Sequence, residues 1–146
     1  MTVRQAPPLT VGDVVDEVAF TVEAGKIVEF ARATGTTDPA HTGGAGFAFP
    51  LATATHVVVA GHHRDQRRML GLLGLRLDRV VVGSVAWTYH RPLVAGDRLR
   101  GTRRVVADEH VAGSSAPMRR ITLVTAFVDD IGEAAVEWTE TVLERG

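Results

Sequence analysis

The spacing of apolar positions along this 146-residue chain changes near its middle. Ile27, Phe30, Ala31 and Thr34 fall at i, i+3, i+4 and i+7, which marks one face of an α-helix. Thr21 is placed to cap that helix, Glu23 sits in its first turn and Gly35 is a natural stop. Ahead of it, the prolines of Met1 to Pro8 predict a loose leader, Val11-Gly12-Asp13 a turn and Val14 to Phe20 an extended stretch. From Val80 the period drops to two: Val85, Trp87 and Tyr89 alternate with Ala86, Thr88 and His90. Pro92 and Gly96-Asp97 then mark a turn, and strands are predicted over Leu99 to Asp108, Arg120 to Asp129 and Glu133 to Leu143. His110 to Met118 reads as a hairpin loop and Asp130-Ile131-Gly132 as a tight turn, so the second half is predicted to be one long antiparallel meander.

The segment between the halves follows neither period. Leu51 to Gly61 is small or apolar around its whole circumference, and Val57, Val58 and Val59 would equally suit a buried strand. Pro50 in a first-turn position favours a buried helix, with Arg64 to Arg68 as its exposed tail and Met69 to Leu77 as a loop or short turn. An all-round apolar helix must be enclosed, and a strongly twisted antiparallel sheet encloses it by curling around it. The expected fold is therefore α+β, a single hot-dog domain over residues 1–146 in which an antiparallel sheet wraps a central buried helix.

Composition narrows the function. With 45% hydrophobic and 23% charged residues the chain is long enough and apolar enough to bury a core. A net charge of -1 and a pI of about 6.6 give no bulk attraction to nucleic acid or an anionic membrane. Arginines cluster at Arg64, Arg67 and Arg68 and again at Arg98, Arg100, Arg103 and Arg104, where solvated faces are expected. A functional role for either cluster would be attraction of a phosphate or an acidic carrier protein. The absence of cysteine excludes disulfides, thiolate metal sites and cysteine nucleophiles. His62 and His63 point about 100° apart on a helix, and no carboxylate accompanies His56 and His63, so no metal and no other cofactor is expected. Without a charged-then-apolar leader or a membrane-length apolar run, a cytoplasmic protein is expected.

Candidate chemistry gathers between the helix and the central segment. Asp38 and His41 lie three residues apart on a Pro-containing turn, a carboxylate and an imidazole suited to acid/base work if both face one pocket. The plainer reading is an Asp-Pro turn beside an exposed histidine. Gly35-Thr36-Thr37-Asp38-Pro39-Ala40-His41 resembles the Gly-Asp-x-Asn-Pro-x-His signature of MaoC-like (R)-specific enoyl-thioester hydratases and dehydratases. Gly46-Phe47-Ala48-Phe49-Pro50-Leu51-Ala52-Thr53-Ala54 is similar to their Gly-Phe-x-x-Pro-Ile-Ala-His-Gly. Tyr89-His90-Arg91-Pro92-Leu93-Val94-Ala95-Gly96-Asp97-Arg98-Leu99 looks like their Tyr-x-x-Pro-x-x-x-Gly-Asp-x-Leu. The likeness spans most of the chain and is nearest to N-terminal-type MaoC domains.

The resemblance implies a one-proton acid/base site on an acyl-CoA or acyl-carrier-protein thioester, with His41 and Asp38 catalytic and Thr36, Phe47, Pro50, Thr53 and Ala54 lining the substrate. Backbone amides near Thr53 and Ala54 would receive an enolate oxygen. The family aspartate, however, falls on Thr36, which cannot ionise as a carboxylate, and the family glycine falls on Ala54. Three functions follow: a hydratase or dehydratase centred on His41, a non-catalytic acyl-thioester-binding partner of a second hot dog, and a hot-dog thioesterase. The thioesterase is disfavoured because Leu51 to His63 contains no carboxylate. A homodimer is expected, or a heterodimer with a second MaoC-like subunit, since pairing two sheets would cover an exposed edge.

Overall fold

In a computed structural model of the protein, which describes residues 6–44 and 50–146, five antiparallel strands form one sheet in the order β1-β3-β4-β5-β2. They are β1 (Val14–Thr21), β2 (Val80–Tyr89), β3 (Arg98–Val111), β4 (Met118–Val128) and β5 (Ala134–Glu144). β3, β4 and β5 are a meander, as their alternating pattern predicts. β2 departs from that expectation: it pairs with β5 at the far edge, Val80 opposite Glu144 and Tyr89 opposite Val136. The connection after β2 explains the crossing. Val22, just past β1, donates to Asp97 O at 2.8 Å and accepts from Gly96 N at 2.7 Å, so the β2–β3 loop runs from one sheet edge to the other, with Leu93 buried beneath it.

Helix α1 (Ala24–Ala33) buries Ile27 and Ala31, and Gly35 ends it with φ +74°, a conformation that glycine adopts without steric cost. Its N-cap is Glu23, because Thr21 is still part of β1. The inner face of the sheet supplies Phe20, Leu99, Phe127, Val136 and Trp138 to one core with Ile27, Val57 and Ala60. Gly101 on β3 permits this packing: a Cβ there would lie 2.6 Å from the Phe127 ring.

The central segment is not the α-helix that Leu51 to Gly61 predicts. Leu51 forms an isolated bridge with Val94, Ala52 N donates to Leu93 O at 2.8 Å, and only His56–His63 is helical, as a 3-10 helix. Three successive β-branched valines and Gly61 weaken α-helix there, whereas the three-residue repeat of a 3-10 helix turns both Val57 and Ala60 into the core and leaves Val58 outside. Helix α3 (Gln66–Leu72) is a separate helix that spans the junction of the expected helix tail, Arg64 to Arg68, and the expected loop or short turn from Met69, since Asp65 caps it by accepting from Arg68 N at 2.9 Å and Met69 and Leu70 are buried.

Of the arginines expected in solvent, Arg103 is fully buried and Arg64 is half-buried. Arg103 shares the inner face of β3 with Leu99, Gly101 and Val105 and is 0% exposed. It pairs with Asp16 of β1 and, at 2.8 Å, with Glu140 of β5. Burial lowers its pKa, but hydrogen bonds to those carboxylates outweigh burial and the net shift is upward. Arg64 lies over the Phe127 and Trp138 rings and donates to Thr125 Oγ1 at 2.7 Å. Burial first, and then the charge of Arg103, push its pKa down to about 10. Arg98, Arg100 and Arg104 face outward as expected. Among the described residues, no helix is long and apolar enough to cross a membrane.

Candidate active site

One turn of helix, α2 (Pro39–Thr42), carries His41. Pro39 fixes φ at its first position, and Asp38 caps it by accepting from Ala40 N at 2.9 Å. Two bonds strap α2 to the central segment: Leu51 N donates to Ala40 O at 2.8 Å, and His41 Nδ1 lies 2.6 Å from Leu51 O. A carbonyl oxygen only accepts, so Nδ1 carries the proton of this bond and the neutral ring keeps Nε2 as its basic nitrogen.

His41 lines a cavity of about 510 Å³ together with Ala52, Ala54, Tyr89, Arg91 and Leu93. That volume suits a small-molecule site. The wall at Ala54 is a turn of irregular backbone. Ala52 N is bonded to Leu93 O before it and His56 N to Thr53 O at 3.0 Å after it. Among the described residues, nothing accepts from the amides of Thr53, Ala54 or Thr55. Tyr89 donates from its hydroxyl to Ala54 O, and burial pushes its pKa up to about 12, so it remains a donor throughout the neutral range. Arg91 is held by Asp97 at 2.8 Å and Asp129 at 3.2 Å, and the Asp97 hydrogen bond raises its pKa above the ordinary arginine value.

The residues proposed from sequence separate into groups. His41 and Ala54 reach the cavity. Asp38 is exposed, and its carboxylate is engaged with Ala40 N. Thr36 donates its amide to Ala31 O at 2.9 Å, and its hydroxyl lies 3.3 Å from that of Thr34, so it closes α1. Pro50 is buried and its carbonyl accepts from Ala95 N at 3.1 Å, while Thr53 Oγ1 is buried without a partner among the described residues. Phe47 lies outside the described residues. Tyr89 and Arg91 belong to the wall but carried no site role in the sequence reading. The alternation Val85, Trp87, Tyr89 was the available signal, because it sends a polar-tipped ring inward just before the turn at Pro92.

His90 also lines this cavity, and His56 stands apart from it. His56 is buried in T-shaped contact with the Phe30 ring, its Nδ1 has no partner among the described residues, and burial lowers its pKa. Among the described residues, no group of three or more His, Asp or Glu side chains is arranged to hold a metal ion.

An antiparallel sheet curled over a helical segment, with a histidine strap at one end, defines a hot-dog fold protein of the MaoC-like hydratase and dehydratase kind. Residues 9–138 match the family described as FAS1-like, dehydratase domain region, and the chain belongs to that family. It is similar to a UPF0336 protein of Clavibacter michiganensis subsp. michiganensis, with 35% identity over 133 residues and 87% of each chain covered. Among solved structures, a MaoC-like dehydratase matches with TM-score 0.77 and 26% identity over 92% of this chain and 42% of that one. The HadBC (3R-hydroxyacyl-ACP dehydratase) complex from Mycobacterium tuberculosis shares the fold with TM-score 0.67 and 20% identity, covering 88% of this chain and 94% of that one.

Proposed function

We propose that the protein interconverts trans-2-enoyl and (3R)-3-hydroxyacyl thioesters of coenzyme A or an acyl carrier protein, with His41 as its acid/base group. The observation carrying this reading is the His41 Nδ1 to Leu51 O bond, which leaves Nε2 as the free basic nitrogen of a ring on the cavity wall. In hydration, water oxygen bonds to C3 as its proton passes to Nε2. The C2–C3 π electrons move onto the thioester carbonyl, whose oxygen is received by amides of the Thr53–Thr55 turn. The enolate then collapses and C2 takes the proton from the imidazolium, so the imidazole is regenerated. Dehydration runs the same steps backward. Asp38 serves by capping α2 and so holding the histidine in place. No metal or organic cofactor enters this scheme.

Thr36→Asp tests the scheme where the chain departs from its family. With His41 as sole base, the variant is expected to change the hydration rate of crotonyl-CoA less than about tenfold, well short of the 10²- to 10⁴-fold that a well-placed general base contributes. A gain of 10² or more would show that the wild type lacks its base and would favour the second reading.

That second reading is a partner subunit of another hot dog, and the exposed edge strand is what favours it. β2 presents Val81, Val82 and Val85 to solvent, with Val82 66% exposed, beside an unpaired strand edge. Such an edge is normally covered. The HadBC neighbour is itself described as a complex. Light scattering at micromolar concentration is expected to show a dimer for the wild-type chain and a shift toward monomer for Val82→Lys. A wild-type monomer would contradict self-pairing, and restored pairing with a co-expressed MaoC-like chain would identify a heterodimer.

A further inference from the structure

We propose that Tyr89 is a positioning residue, whose hydroxyl fixes the Thr53–Thr55 turn so that the amides of that turn are held ready for the enolate oxygen. The inference rests on the thioester hydratase reading and adds a residue to it. The turn lies between an isolated bridge at Leu51 and the 3-10 helix that begins at His56, so no strand ladder or α-helix fixes its backbone. Within it the Ala54 carbonyl has the Tyr89 hydroxyl as its partner. A peptide unit is planar, so anchoring the Ala54 carbonyl also sets the direction of the Thr55 N–H.

The anchor itself is rigid. Tyr89 ends β2 opposite Val136, and the next residue, His90, donates its amide to Ala135 O at 2.9 Å. The ring packs against the buried cluster that contains Trp138, Val136 and Leu93. The hydroxyl therefore projects from the sheet core to a backbone atom 35 residues earlier in the chain. Preorganised donors stabilise developing charge because their orientation is fixed before the reaction, and an unanchored turn would have to reorganise as the enolate forms.

Tyr89→Phe removes the hydroxyl and keeps the ring. With crotonyl-CoA as substrate, kcat is expected to fall about 10- to 100-fold while KM stays within about threefold, because the loss appears in the transition state. The pH profile should keep its midpoint, since Tyr89 does not titrate in the reaction. Hydrogen–deuterium exchange over residues 52–58 should be faster in the variant than in the wild type. Unchanged kcat, or a rise in KM that accounts for the whole loss, would overturn the assignment. If the wild type hydrates no enoyl thioester, the hydratase reading fails by itself. Exchange then still decides the strut: faster exchange confined to 52–58 sustains the anchoring, and unchanged exchange refutes it.

Discussion

Replacing His41 with alanine is expected to lower kcat/KM for hydration of crotonyl-CoA by about 10²- to 10⁴-fold, the contribution of a positioned general base. The size of the effect follows from the geometry. Asp38 is occupied by the α2 cap, Thr36 has no carboxylate, and His90, also on the cavity wall, is turned toward Glu137 at 3.5 Å. Among the described residues, no carboxylate lines the cavity beside His41. Because alanine also removes the strap to Leu51 O, His41→Asn is the sharper variant: its side-chain amide can still donate to that carbonyl but has no basic nitrogen. Both variants should lose turnover, and Asn should retain more of the wild-type thermal stability.

Replacing Arg103 with methionine is expected to destabilise the fold by about 3–5 kcal/mol, read as a lower midpoint in urea unfolding with an unchanged slope. Arg103 ties β1 to β5 through Asp16 and Glu140 from the middle of β3, and both carboxylates are themselves mostly buried. Truncating the cation leaves two desolvated anions facing each other, which costs more than the intact network contributes. Removing the anions as well, in Asp16→Val/Arg103→Met/Glu140→Leu, should recover much of the loss. If the single variant unfolds like the wild type, the network contributes nothing to holding β1, β3 and β5 together.

The elements most legible from sequence were those whose periodicity follows one neighbour. The strands from Val80 to Leu143 and the α1 face of Ile27 and Ala31 fall close to where the alternation and the i, i+3, i+4 spacing put them. Strand pairing was less legible, because the edge that β2 joins is set by how the Pro92 to Asp97 loop docks on Val22, a contact between segments far apart in the chain. The type of the central segment was not legible for a local reason: uniform apolarity reports burial and carries no period, and Val57 to Val59 together with Gly61 disfavour a regular α-helix. The buried Arg103 shows the opposite error. Strict alternation through Leu99, Gly101, Arg103 and Val105 puts it on the core face, whereas its charge alone points to solvent.

The site divides along the same line. His41 was accessible through a local motif, and so was the likeness in the Tyr89 to Leu99 stretch. What the motif left out was how each residue is employed. Asp38 accepts the amide of Ala40, a bond within its own turn, while the partner of the imidazole, Leu51 O, comes from the next segment of chain. Tyr89 reaches Ala54 only because β2 and the central segment meet in the folded sheet.

The most direct test of the proposed chemistry is to incubate the purified wild-type chain with crotonyl-CoA and resolve the product by chiral analysis. The account predicts (R)-3-hydroxybutyryl-CoA from the wild type and none above the uncatalysed level from His41→Asn. An inert wild type, an (S) product, or equal turnover by His41→Asn would contradict it.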